Sequence, residues 1–352
     1  MSKGKARANA NYHTAGGKSV FSERENDSRY KEYRRLWYDR PAAFDPGPFP
    51  VHLDLESTSV CNLRCPFCAT TYHHWGPDRG GFMGLDLFRR VIDEAMPQGL
   101  CSIKLSLRGE PLLHKGLPQF VRYAKEKGVL DVYFNTNAVL LKDRLAEELL
   151  ESGLDRISIS FEGITKEVYE RHRVGARFEE VVANIRAFRA ARDAAGRQTP
   201  RIRIQTVLLP ELKESFADYV GFWEPVADEV GYLDARDETG KGHQAETDPC
   251  EADSGATGWA CPFLWQRLMI LWDGTVLPCL LHAVKDFTPM VLGQAGKDRL
   301  QDLWLGARIQ AYRENHRKGR CGDIPACKRC SYREMEANKG PEGRPKGRGK
   351  PC

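Results

Sequence analysis

The chain has 352 residues, 41% hydrophobic and 29% charged, with a formal net charge of +5. Single cores stop growing at roughly 250–300 residues, so two units are expected. No stretch approaches the 18 or more apolar residues of a membrane span, and the start (MSKGKARANANYHTAGG) has no apolar export region, which predicts a cytoplasmic protein without a membrane partner.

Residues 1–35 are basic and polar and are expected to lack a stable fold of their own. Within 28–49 (SRYKEYRRLWYDRPAAFDPGPF) the pattern predicts one amphipathic helix and a Pro-rich connection packed on the strands and helices C-terminal to it. Strand and helix then alternate. Strands are predicted at 51–57, 102–107, 129–135, 156–161, 201–209 and, weakly, 229–235, and helices at 85–96, 117–127, 141–151, 178–194 and 216–226. Strands separated by helices pair in parallel with right-handed crossovers. With no dinucleotide glycine fingerprint after the first strand, an open or partial barrel suits six such units at least as well as a doubly wound sheet. Polar residues gather at the strand ends (108–110, 135–137, 160–162), where ligands bind in either architecture.

After a charged, Gly-rich linker (237–258), residues 268–272 and 275–279 flank an Asp-Gly turn and predict a β-hairpin, and 297–317 predicts one helix. The tail 339–352 (KGPEGRPKGRGKPC) has nothing apolar to bury. No aromatic residue interleaves its charges, so it reads as a solvated end and no nucleic-acid partner is predicted.

Eleven cysteines, an odd number in a chain without an export signal, favour metal binding over a disulfide framework. Cys61-Asn-Leu-Arg-Cys65-Pro-Phe-Cys68 lies directly after the first predicted strand. Three thiolates on such short spacing can wrap one small iron–sulfur cubane and leave one iron open. The competing reading is zinc, completed by His73 or His74. A second group comprises Cys261, Cys279, Cys321, Cys327 and Cys330. Four of them, including the Cys327-x2-Cys330 knuckle, could hold either structural zinc or a cluster. Cys101, Cys250 and Cys352 belong to no motif and read as plain thiols.

The Cys-x3-Cys-x2-Cys run, with an aromatic before its third cysteine, resembles the signature of the radical S-adenosylmethionine superfamily. Gly109-Glu110-Pro111 at the second strand end is similar to the family's Gly-Gly-Glu-Pro motif, with Arg108 where the first glycine is usual. Thr136-Asn137, Ser158, Ser160 and the segment 162–173 fall in register with the family as well. The resemblance covers roughly residues 51–235 and implies an α/β fold, a partial (β/α)6 TIM-like barrel. It also implies that Cys61, Cys65 and Cys68 hold a [4Fe–4S] cluster whose open iron chelates S-adenosylmethionine. A reduced cluster then yields a 5′-deoxyadenosyl radical that abstracts hydrogen from substrate. By the same resemblance the backbone at Phe67 reads adenine and the Gly109–Pro111 turn meets the methionine ammonium. Asn137, Ser158 and Ser160 are candidates for ribose or carboxylate contacts, and Arg173 for the carboxylate. Glu110 reads equally as a structural carboxylate bonding nearby backbone amides.

Cys261, Gly274 and Cys279 are similar to the auxiliary-cluster domains called SPASM or twitch. This implies a small α+β domain with one auxiliary [4Fe–4S] cluster on Cys261, Cys279, Cys327 and Cys330, with Cys321 as a possible ligand. The expected organisation is an N-terminal extension (1–50), the radical barrel (51–235), the auxiliary domain (236–334) and a basic tail (335–352). A complete ligand set suits electron acceptance. The expected function is therefore an oxidoreductase acting on a small polar substrate such as a sugar or cyclitol, served by a reducing flavodoxin or ferredoxin. A base is then required, and Glu162, Asp234, Asp237 and His282 are candidates. The alternatives are a peptide maturase acting on a ribosomal peptide and a non-enzymatic two-cluster electron-transfer protein.

Overall fold

Alternation of strands and helices from residue 51 onward becomes a parallel sheet with helices on its outer face. The computed structural model describes residues 13–19, 27–72, 80–234, 261–279, 287–328, 330 and 332. In chain order the elements are β1 (His13–Gly17), α1 (Ser28–Ala43), β2 (His52–Leu55), α2 (Ala69–Tyr72), α3 (Leu85–Ala95), β3 (Ser102–Lys104) and α4 (Leu117–Glu126). There follow β4 (Asp131–Thr136), α5 (Asp143–Glu151), β5 (Arg156–Ser160), α6 (Lys166–His172), α7 (Phe178–Ala194), β6 (Arg201–Leu208), α8 (Phe216–Trp223) and β7 (Glu229–Asp234). The C-terminal part adds α9 (Phe263–Gln266), β8 (Arg267–Ile270), β9 (Thr275–Leu277), β10 (Gly293–Gln294), α10 (Leu300–Leu305), α11 (Ala307–Arg317) and α12 (Pro325–Lys328).

Strands β2 to β7 pair in parallel, each with the next. This is the partial (β/α)6 barrel, followed by a small auxiliary segment. Alternate strand residues Leu53, Ile103, Phe134, Ile157 and Ile204 share a core with helix residues Phe88, Phe120, Leu149 and Phe188. The opposite strand face carries Asp54, Lys104 and Tyr133 in one register and Asn135, Ser158 and Arg203 in the next, and lines the interior.

The barrel and the C-terminal part share one sheet. β8 pairs in parallel with β2, His52 opposite Arg267 and Leu55 opposite Ile270, so the auxiliary hairpin prolongs the barrel sheet. Its Trp265, Leu268 and Ile270, with Trp304, join the main core. Burying the free edge of β2 satisfies backbone groups that would otherwise form an exposed sheet edge.

At the N-terminus the helix expected within 28–49 is present as α1, whereas the strand before it is not among the expected elements. His13–Gly17 forms an antiparallel strand on the edge of β7, and α1 is capped by Asp27, which accepts from the Arg29 and Tyr30 amides. Tyr30, Tyr33, Trp37 and Pro41 give α1 one buried face, three of them clustering with Val51. That face covers the N-terminal ends of the strands, where Trp37 meets His52 edge-on at 5.5 Å. Beneath it, His52 contacts Ser102 at 3.0 Å, Arg156 pairs with Asp131 at 2.6 Å and Arg267 with Asp54 at 3.2 Å. Burial alone would raise the Asp54 carboxyl, but Arg267 and His52 hold it well below the usual range. Helix α1 thus packs over this end of the strands, and in such barrels the C-terminal strand ends are the ligand-binding face.

The single helix expected over 297–317 is two. Gly306 separates α10 from α11 in an extended conformation, and a methyl there would meet the Asp302 carbonyl at 2.7 Å.

Candidate functional site

The cysteine loop follows β2 and is clamped by the turn after β3. The Glu110 amide donates to Val60 O at 2.8 Å. A methyl at Gly109 would lie 2.6 Å from Val60 O and closer still to Thr58 O. Only a glycine lets the two backbones approach this closely. Gly109→Ala should therefore displace the loop, and S-adenosylmethionine affinity is expected to fall at least about tenfold, measured by equilibrium binding to the iron-loaded protein.

Glu110 takes the structural role of the two read from sequence. Its carboxylate is buried and accepts from Thr136 Oγ1 at 2.6 Å, the Asn137 amide at 2.8 Å and the Leu112 amide at 3.1 Å. Burial raises its carboxyl while these three donors oppose the shift. Asn137 reaches the cysteine loop through its Nδ2, which donates to Asn62 Oδ1 at 2.9 Å. Ser158 and Ser160 stand opposite Arg203 and Gln205 of β6 on the interior face.

Around Cys65 the geometry corrects two expectations. Arg173 forms a two-point pair with Glu162, its Nη2 donating to Oε1 at 2.8 Å and its Nε to Oε2. Glu162 is fully buried, so it is a partner of this guanidinium rather than an accessible general base. Arg173 is likewise engaged, and its remaining Nη1 donates to Cys65 Sγ at 3.7 Å while its guanidinium lies 5.4 Å from the Phe67 ring centre. Burial pushes the Cys65 thiol up and Arg173 opposes it; burial raises Cys61 to about 11. Cluster assembly must therefore remove protons from these thiols. Of the other base candidates, Asp234 ends β7, while Asp237 and His282 lie outside the described residues, as do His73, His74, Cys250 and Cys352. Cys101 lies half-buried, with its Sγ 3.4 Å from Gly99 O.

The second cysteine group converges at the far side of the hairpin. Cys261 precedes α9, Cys279 follows β9, and Cys327 and Cys330 arrive from α12 and the residues after it. Burial raises the Cys279 thiol strongly, and its next influences are Cys261, Cys330 and Cys327. Cys261 is pushed up to about 12 by burial, reinforced by Cys330. Cys279 thus has Cys261, Cys327 and Cys330 as neighbours, and together they make the number of thiols an all-cysteine cluster site uses. Cys321 is buried on the neighbouring turn.

Comparison with known families decides the assignment. Residues 55–220 match the family described as Radical SAM superfamily, and residues 261–331 match the Iron-sulfur cluster-binding domain, SPASM. Residues 55–220 are a radical S-adenosylmethionine superfamily domain. S-adenosylmethionine and a [4Fe–4S] cluster go with the first domain and auxiliary iron–sulfur binding with the second, and both thiol groups fit such groups in donor type and number. Among relatives of this radical SAM enzyme, a probable GTP 3′,8-cyclase of Methanococcus maripaludis is 32% identical over 133 residues, 37% of this chain and 43% of that relative. This chain thus matches less than half of that relative's length. The corresponding protein of another strain is 27% identical over 65% of this chain and 84% of its own. A tungsten-containing aldehyde ferredoxin oxidoreductase cofactor-modifying protein of Pyrococcus furiosus is 26% identical over 80% of this chain and 88% of its own. Solved structures sharing the fold include Streptococcus suis SuiB bound to precursor peptide SuiA (TM-score 0.62, 17% identity, 90% and 80% covered). BtrN in complex with AdoMet and 2-DOIA does so at TM-score 0.51, 20% identity, 80% and 93% covered.

In this radical SAM enzyme the position that departs from the family motif carries a buried ion pair. Arg108 donates to both oxygens of Glu56 at 2.6 Å, both side chains are buried, and the guanidinium lies 5.6 Å from the Phe287 ring centre. Glu56 in turn bonds the auxiliary hairpin: its amide donates to Ile270 O at 2.9 Å and its Oε2 accepts from the Trp272 amide at 3.4 Å. Trp272 also packs on Gly81, where a methyl would overlap its ring. Sequence reasoning noticed Arg108 only as a departure and missed Glu56 and Trp272. The available signal was a carboxylate at the C-terminal end of β2, matched to an arginine at the corresponding end of the next strand.

Proposed function

We propose that the protein is a radical S-adenosylmethionine oxidoreductase that removes hydrogen from a small polar substrate such as a sugar, cyclitol or related metabolite. The observation that carries this reading is the second cysteine set: Cys261 and Cys279 flank a hairpin that continues the barrel sheet, and Cys327 and Cys330 are among the groups acting on Cys279. When bound, the two iron–sulfur groups supply a substrate-oxidising 5′-deoxyadenosyl radical and an acceptor for the electron left on the substrate. Cys61, Cys65 and Cys68 would hold the first group. The Phe67 backbone, the Gly109–Pro111 turn, Asn137, Ser158 and Ser160 would orient S-adenosylmethionine. The interior face adds Asn135 and Gln205 beside the two serines, a donor and acceptor set suited to hydroxyl groups. Asp234, at the end of β7, remains a candidate to take the hydroxyl proton, as do Asp237 and His282. A reducing flavodoxin or ferredoxin is the partner this chemistry needs.

The test is anaerobic reconstitution, iron counting and incubation with S-adenosylmethionine, dithionite and a panel of sugars, aminocyclitols, GTP and short peptides. About eight irons are expected for two cubanes, and fewer than about six would remove the auxiliary cluster. A sugar or cyclitol should stimulate 5′-deoxyadenosine formation and yield a product lighter by two hydrogens. A product of unchanged mass from GTP, or modification of peptides alone, would overturn the reading.

A further inference from the structure

Helix α6 ends against the cysteine loop. The Arg64 amide donates to Val174 O at 2.9 Å, and a methyl at Gly175 would stand 3.2 Å from Leu63 and 3.4 Å from Asn62 O. Arg173, the first residue past α6, reaches Cys65 Sγ. Tyr169 lies in the last turn of α6, its carbonyl accepting from the Arg173 amide at 2.7 Å. The Tyr169 ring is fully buried, stacked on Phe161 with centroids 4.0 Å apart and flanked by Phe178. Its hydroxyl is buried and has no hydrogen-bond partner among the described residues. The charged groups that bear on it are Arg173, Glu162, Cys65 and Glu110, all of them around the first cysteine set. Burial raises its pKa above the ordinary phenol value, so the hydroxyl keeps its proton and can donate.

Phenylalanine stands on both sides of this ring, so packing alone would not call for a phenol. A buried hydroxyl is costly to leave without a partner, and native structures rarely do so. We propose that Tyr169 is a positioning residue whose hydroxyl donates to sulfur of the cluster held by Cys61, Cys65 and Cys68, and that with Arg173 it sets that cluster's reduction potential. Donors to cluster or cysteinyl sulfur stabilise the more negative, reduced state and raise the potential. The inference concerns the first cluster alone and holds whichever substrate the enzyme takes.

The test is Tyr169→Phe in the full, iron-loaded chain, followed by an EPR-monitored redox titration without S-adenosylmethionine. The first cluster is identified by the signal that changes when S-adenosylmethionine is added. The midpoint should move to more negative potential by about 59 mV, a tenfold change in the one-electron reduction constant, with S-adenosylmethionine affinity unchanged. An unmoved midpoint would overturn the proposal. So would an unmoved midpoint accompanied by a tenfold weaker affinity, which would put the hydroxyl on S-adenosylmethionine instead. Should the variant load less iron, the midpoint is still read, because the signal arises only from clusters that are present.

Discussion

Replacing Cys327 and Cys330 with alanine should leave reductive cleavage of S-adenosylmethionine intact while substrate turnover falls below about 1% of wild type. Loss of an outer-shell partner alone costs about 10–100-fold at many metal sites, and this change removes two ligands. The barrel should survive, because Cys327 and Cys330 lie on α12 and the residues after it, away from the paired strands. Iron should fall from about eight to about four per chain. The decisive measurement is the ratio of 5′-deoxyadenosine to product: a high ratio in the variant supports the electron-acceptor role, and preserved turnover removes it. Cys261→Ala is expected to be broader in effect, since Cys261 adjoins Leu264 and Trp265 of the main core.

Breaking the Glu56–Arg108 pair should have the largest effect on stability. Removing one partner of a buried ion pair leaves the other charge without compensation and costs about 3–5 kcal/mol. Glu56→Gln and Arg108→Met should each lower the thermal midpoint by several degrees. The double variant should be less unstable than the sum of the two, because it buries no lone charge. A strictly additive cycle would show that the pair is not coupled. Because Glu56 bonds both the Arg108 strand end and the Ile270–Trp272 segment, each single variant should also weaken S-adenosylmethionine binding.

Most strands and helices of the barrel were legible because each carries its own signal. Ile157 and Ile159 alternate with Ser158 and Ser160, and α7 spans Phe178–Ala194 with Val181, Val182, Ile185 and Phe188 on its buried side. Short elements were not legible. β1 reads as polar and gains its stability from pairing with β7, with Thr14 bonding Glu229 at 2.5 Å. The break at Gly306 was invisible because helical periodicity continues across it.

In the site, residue types were readable and their partners were not. Cys61, Cys65 and Cys68 fall on one short loop, so their proximity is imposed by the chain. Arg173 and Glu162 are 11 residues apart, and nothing local requires them to meet. They pair because the turn after β5 and helix α6 bring both into the same dry volume, where a lone charge is too costly.

The chain by itself therefore determined the closeness of Cys61, Cys65 and Cys68 and most strands and helices of the barrel, since these depend on short spacings and local periodicity. Tertiary structure alone decided that the auxiliary hairpin continues the β2 edge, that Arg108 is answered by Glu56, and that Glu162 is sequestered by Arg173. Those outcomes depend on pairing between groups that local sequence does not hold together, where burial and charge compensation choose the partner.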